Sequence, residues 1–122
     1  MNPKFKPGRN MAMKVPAHEY DKTVAFYRDV LGFELIPLDN DEETNTIRFK
    51  FGDKVLWIDR VETVSQAEIW LEVVTDDLDA AAEYFQESDV VRCDEIEPLP
   101  EGFQGFWISS PSNIIHLVTN SD

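Results

Sequence analysis

The sequence predicts an α+β domain made of two similar modules, each a strand, an amphipathic helix and three further strands. The first observation behind this is a weak internal repeat. The pair Phe26-Tyr27 lies on an amphipathic stretch, and fifty-eight positions later Tyr84-Phe85 takes the same place on the segment Asp76–Gln86. The second is period-two alternation flanking each helix. Ile47, Phe49 and Phe51 alternate with Thr46, Arg48 and Lys50, and Ile69, Leu71 and Val73 alternate with Glu68, Trp70 and Glu72.

Residues 1–9 read as a flexible leader held at most by Phe5, because they are polar and broken by proline. Asn10 to Pro16 reads as a half-buried strand with Met11, Met13 and Val15 on one face. A helix follows from about Tyr20 to Leu31, with Val24, Tyr27 (or Phe26), Val30 and Leu31 sharing a face and Gly32 as its stop. Phe33 to Leu38 is a short strand ended by Pro37 and the acidic turn 39–43. Thr46 to Phe51 and Lys54 to Asp59 form a hairpin across Gly52-Asp53. Module one thus covers about 10–60, and a linker runs from Val61 to Ala67.

Module two, about 67–120, repeats the order. Glu68 to Val74 is a strand, and Thr75 or Asp76 caps a helix that runs to about Glu87 with acidic residues in its first turn. Val90 to Cys93 is a short strand, and a proline-rich loop spans 95–102. Phe103 to Ser109 and Ile114 to Thr119 close a hairpin across Ser110-Pro-Ser-Asn113. At 122 residues, both modules fit within a single domain, 1–122.

Charge narrows the function. Twenty-four acidic side chains face eleven basic ones, a formal net charge of −13, and such a field repels nucleic acid and anionic membrane surfaces. The single cysteine, Cys93, makes neither an intrachain disulfide nor a cysteine metal cluster. The absence of a signal-peptide pattern, and of any apolar run near the roughly 20 residues of a membrane span, points to a cytoplasmic protein.

Three segments occur in order: Ala25-Phe-Tyr-Arg-Asp-Val-Leu-Gly-Phe33, Val74-Thr-Asp-Asp-Leu-Asp-Ala-Ala81 and Ser110-Pro-Ser-Asn-Ile-Ile-His-Leu117. Together they resemble the vicinal oxygen chelate superfamily, which includes glyoxalase I, bleomycin resistance proteins and extradiol dioxygenases. The last segment is similar to the superfamily's Asp-Pro-x-Gly-Asn-x-x-Glu-Leu ending and reads as one residue shorter. The resemblance implies two βαβββ modules that pair into an incomplete barrel around a cleft. It also implies, in metal-binding members, one ligand on the first and one on the last strand of each module. Carried over through the motif spacing and the repeat offset, those positions fall on Ala12, Ile58, Trp70 and His116. Only His116 is a ligand type, so no family-type metal site and no cofactor are expected, although a shift of two residues would bring in Glu68 or Glu72. His18, at the strand-to-helix corner, reads as a surface or capping residue rather than a ligand.

The expected cleft then has Trp70 and Phe106 as apolar walls, with His116, Glu72, Arg48 and Lys50 as polar groups, which is the make-up of a small-molecule pocket. A solvated sheet face with loose ion pairs would account equally for Arg48, Lys50 and Glu68, and core or dimer-interface filling for Trp70. The function implied is binding of a small organic molecule, as in a drug-sequestering resistance protein. The alternative is a divalent-metal-dependent lyase or dioxygenase of the glyoxalase type. As many relatives are dimers, a homodimer is expected.

Overall fold

The computed structural model describes residues 3–38 and 45–120. The chain divides into two compact units, Arg9–Trp70 and a second made of Leu71–Asp122 with Met1–Gly8. The elements are β1 (Phe5–Pro16), α1 (Ala17–Ala25), β2 (Thr46–Phe51), β3 (Lys54–Val61), β4 (Glu68–Thr75), α2 (Leu78–Glu87), β5 (Val91–Arg92), β6 (Gly105–Ser109) and β7 (Ile115–Asn120). The pairing is mixed parallel and antiparallel, with strand order β2-β3-β1 in the first unit and β4-β7-β6-β5 in the second. The α+β class is the one the sequence predicts.

In the Arg9–Trp70 unit, β1 runs parallel to β3 with Met13 opposite Ile58 and Lys14 opposite Asp59. β2 is antiparallel to β3 with Phe49 opposite Leu56 and Arg48 opposite Trp57. Because side chains alternate along a strand, this register sends Val15, Phe49, Leu56 and Ile58 to one face. There they close a core with Tyr20 and Val24 of α1. Each such side chain contributes about 1.5–3 kcal/mol by leaving water. The opposite face is the polar one.

Helix α1 departs from expectation at both ends. It starts at Ala17, and after Ala25 the backbone widens into a π-helical turn over Phe26–Val30, with Leu31 N–H donating to Phe26 O at 2.9 Å. A π-turn adds a residue to the turn and so moves the apolar stripe off phase. Tyr27 stays against the core, whereas Phe26 (46% exposed) and Val30 (72% exposed) face solvent. The shared face expected from a 3.6-residue period therefore ends at Tyr27. Gly32 terminates the segment at φ +71°, a conformation that suits glycine.

The strand expected over Phe33–Leu38 is reduced to one bridge, Leu35 to Phe49, flanked by two backbone bonds of 2.9 Å: Ile36 N–H to Arg48 O and Lys50 N–H to Glu34 O. Pro37, with no N–H, cannot continue the ladder. The acidic turn expected at 39–43 lies outside the described residues.

In the second unit β4 is parallel to β7, β7 antiparallel to β6, and β6 antiparallel to β5. Phe106, Ile108 and Val118 meet Ala81 of α2 in its core. Asp77, one position past the expected caps, accepts from Ala80 N–H at 3.0 Å, and Asp79 adds negative charge to the first turn. The leader expected over residues 1–9 is part of β1 from Phe5 onward. Phe5 stacks on Phe85 at 5.1 Å and meets Tyr84 at 5.9 Å, and Lys4 N–H donates to Asp76 Oδ1 at 3.1 Å. Two aromatic contacts hold a segment that its prolines argued against. Among the described residues no helix is long and apolar enough to cross a membrane.

Candidate functional site

In the Arg9–Trp70 unit, the sheet face opposite α1 carries Asn10, Ala12 and Lys14 from β1, Trp57 and Asp59 from β3, and Thr46 and Arg48 from β2. Lys14 is only 4% exposed, and its Nζ lies 2.7 Å from Asp59 Oδ2. Thr46 Oγ1 donates to the other Asp59 oxygen, and the Lys14 ammonium also sits 4.3 Å from the centre of the Trp70 ring. A cation over an indole face is electrostatically favourable, most of all where water is excluded. Trp70 is buried, and its Nε1–H donates to Glu68 Oε1 at 3.0 Å.

Beside this pair, Trp57 Nε1–H donates to Asn10 Oδ1 at 2.8 Å, and the Arg48 guanidinium lies over the Trp57 ring, 5.2 Å from its centre. Arg48 Nη2 donates to Pro37 O at 2.7 Å. Lys50 shares the face by register, but its side chain is 60% exposed and pairs with Glu34 at 3.1 Å. Of the residues expected to bind ligand, Trp70, Arg48 and Lys50 are on this face. Lys14, Asp59 and Trp57 were missed. The run Val55-Leu56-Trp57-Ile58 is apolar on both faces, so its alternation is silent.

In the second unit Glu72 is opposite Leu117, whereas His116 is opposite Leu71 and Ile108, and Phe106 is opposite Val118. Phe106 and His116 therefore lie on the α2 side of the sheet, and Glu72 on the other. The expected convergence of Glu72, Phe106 and His116 does not form, because a one-residue change of register flips a side chain across the sheet. Phe106 is a core residue, with Phe85 edge-on at 6.2 Å and the Arg92 guanidinium at 4.3 Å. His116 Nδ1 lies 2.9 Å from Ile114 O, and since a carbonyl only accepts, that nitrogen carries the proton. His18 is exposed, with Nε2 3.4 Å from Glu19 Oε2. Cys93 is buried; burial first, then Glu95 and Asp94, pushes its thiol up, which leaves it a poor nucleophile.

Among solved structures, the Mn(II)-bound glyoxalase from Novosphingobium aromaticivorans superposes with a TM-score of 0.69 at 21% identity, over 97% of this chain and 40% of that one. Homoprotocatechuate 2,3-dioxygenase from Arthrobacter globiformis superposes at 0.62 and 19% identity, over 98% and 37%. Methylmalonyl-CoA epimerase from Streptomyces coelicolor, in complex with 2-nitronate-propionyl-CoA, does so at 0.62 and 17%, over 97% and 96%. The fold is that of the vicinal oxygen chelate superfamily. This chain spans less than half the length of the glyoxalase and the dioxygenase. No protein-family model matches the sequence, and no curated protein matches it.

The backbone at Asn113 allows a different alignment of the superfamily's ending. Asn113 adopts φ +65°, so it takes the place of the glycine in the Asp-Pro-x-Gly turn. The ending is then of full length, and its Glu position falls on Leu117 rather than His116. Leu117 is opposite Glu72, and in the other unit Asp59 is opposite Lys14 in the same parallel register. Lys14 and Glu72 are fifty-eight apart, as are Asp59 and Leu117. On this alignment the strand pairs to compare are Lys14 with Asp59 in one unit and Glu72 with Leu117 in the other.

In neither unit does this pair of positions by itself fit a divalent ion. Leu117 has no lone pair, and an ammonium is no ligand. The Lys14 ammonium already holds Asp59, and it would repel an incoming cation. Among the described residues no three His, Cys, Asp or Glu side chains are grouped to hold a metal.

Proposed function

We propose that this protein binds a small organic molecule on the sheet face opposite α1 in its Arg9–Trp70 unit, without a family-type metal site. The observation that carries this is the pair of buried Lys14 with half-buried Asp59 at two candidate ligand positions, where an internal ammonium supplies the positive charge. Trp57, half-exposed next to Ala12, gives the face its apolar wall, and Arg48 gives it a directed cation. Apolar walls with few convergent polar groups suit a small ligand. A divalent-metal lyase or dioxygenase is the weaker alternative: the glyoxalase of similar fold is Mn(II)-bound, and these residues do not reproduce a ligand set.

Trp70, buried against Lys14, serves in this reading as the floor of the site, and Lys50 lies at its rim. Glu72 is on the other unit's β4, and His116 and Phe106, beside α2, have no part in this reading. A homodimer in the cytoplasm belongs to the same proposal; the exposed Phe26, Val30, Leu31 and Phe51 support self-association. The test is a ligand screen read by tryptophan fluorescence on the parent chain and on Trp57→Phe. Hits whose response disappears in the variant support the proposal. A screen in which every hit responds equally in both sinks it.

A further inference from the structure

Arg48 is placed unlike the cations that ion pairs hold. Lys14, Arg28, Lys50, Arg60 and Arg92 each pair with a carboxylate. Arg48 makes no ion pair among the described residues, although acidic side chains outnumber basic ones by more than two to one. Its Nη2 donates to the Pro37 carbonyl, its plane rests over Trp57, and its Nε–H is buried with no acceptor. A buried donor without a partner carries a desolvation penalty that an incoming acceptor removes.

Charge on the face identifies that acceptor. Lys14 and Asp59 cancel, Lys50 is matched by Glu34, and exposed Glu68 is engaged by the Trp70 indole. Arg48 remains the cation of this face with no carboxylate beside it among the described residues. A monoanion neutralises it, whereas a phosphate dianion would leave surplus negative charge on a half-buried face of a chain already at −13. Guanidinium and carboxylate match in shape, and Trp57 with the Ala12 methyl offers a surface for an apolar body.

We infer that the ligand class of this face is an organic monocarboxylate and that Arg48 anchors its carboxylate, with the apolar part against Trp57. The inference rests on the small-molecule reading above and names its ligand class. The Nε–H is shielded in the free chain, so the carboxylate meets it as the guanidinium rotates off the indole.

The experiment is NMR titration of ¹⁵N-labelled protein at constant ionic strength, following the Arg48 Nε–H and the Trp57 indole N–H. The probes are acetate, benzoate, indole-3-acetate, benzamide and phenyl phosphate. At least one carboxylate shifts both signals saturably, and benzamide binds roughly tenfold or more weakly than benzoate. Arg48→Lys and Arg48→Met, each checked for an unchanged backbone spectrum, weaken carboxylate binding by a similar factor. Equal binding of benzamide and benzoate, tighter binding of phenyl phosphate, or full affinity in folded Arg48→Met overturns the carboxylate assignment and leaves the small-molecule reading standing. If no probe moves Arg48 and no neutral compound moves Trp57, both fall.

Discussion

Replacing Lys14 with methionine removes one partner of the most buried ion pair while keeping most of the side-chain volume. The Lys14 side chain is 5% exposed and that of Asp59 21%. Leaving one member of such a pair unpaired costs about 3–5 kcal/mol. Asp59 keeps its bond from Thr46 and some contact with water, so the low end applies, about 3 kcal/mol. Loss of the ammonium over Trp70 adds about 1 kcal/mol. For a chain of this size that corresponds to a fall in Tm of roughly 10–15 °C. The double variant Lys14→Met/Asp59→Leu removes both charges and recovers most of the loss, since apolar replacement of a whole buried pair is near neutral or better. Paired thermal and urea unfolding of the parent, both single variants and the double variant gives the cycle. A loss under about 1 kcal/mol in Lys14→Met, or a double variant no more stable than Lys14→Met, would show that the pair is solvent-screened and refute the buried-ammonium argument.

Other consequences are local. A Cβ at Gly8 would lie 2.3 Å from Glu72 Oε1 and 2.7 Å from Glu72 Cβ. Gly8→Ala therefore destabilises by about 1–3 kcal/mol in urea melts, and Glu72→Ala relieves part of it. Asp77→Ala removes the α2 cap and costs about 1 kcal/mol in the same assay. Asn113→Gly is neutral or stabilising, while Asn113→Val costs about 1–3 kcal/mol because of its left-handed backbone. The Cys93 thiol has its native pKa raised above that of the unfolded chain. Its contribution to stability is full below the unfolded pKa and disappears as pH rises through the native value. Alkylation of the native chain at mildly alkaline pH is accordingly slower than that of the denatured chain, and Tm falls with rising pH more steeply than in Cys93→Ala.

The fold was largely legible because it rests on period and repeat. The strands around Ile47–Phe51 and Glu68–Val74 alternate cleanly, and the spacing between Phe26-Tyr27 and Tyr84-Phe85 set the correspondence between the modules. What the sequence hid was local geometry. The π-turn at Phe26–Val30 has no signature in apolar spacing, and Phe5 holds a strand that two prolines disguised. The site was half legible for a similar reason. An offset of fifty-eight relates Lys14 to Glu72 and Asp59 to Leu117, and Asn113 does not look like the glycine whose backbone it imitates. A shift of one residue in that ending exchanges Leu117 with His116 and Asp59 with Ile58. On the first strand, Ala12 shares a face with Lys14 two residues further on. Lysine drew no notice because a search for metal ligands looks for lone pairs, not for a cation.

The central claim, that the Lys14 ammonium stands where metal-binding members of the fold hold a divalent ion, is tested most directly by measuring metal content. Protein purified without chelator is assayed by elemental analysis, then titrated calorimetrically with Mn(II), Ni(II) and Zn(II) beside Asp59→Asn. The account predicts no stoichiometric metal as purified and no saturable binding that depends on Asp59. One tightly bound divalent ion per chain, lost in Asp59→Asn, would contradict it.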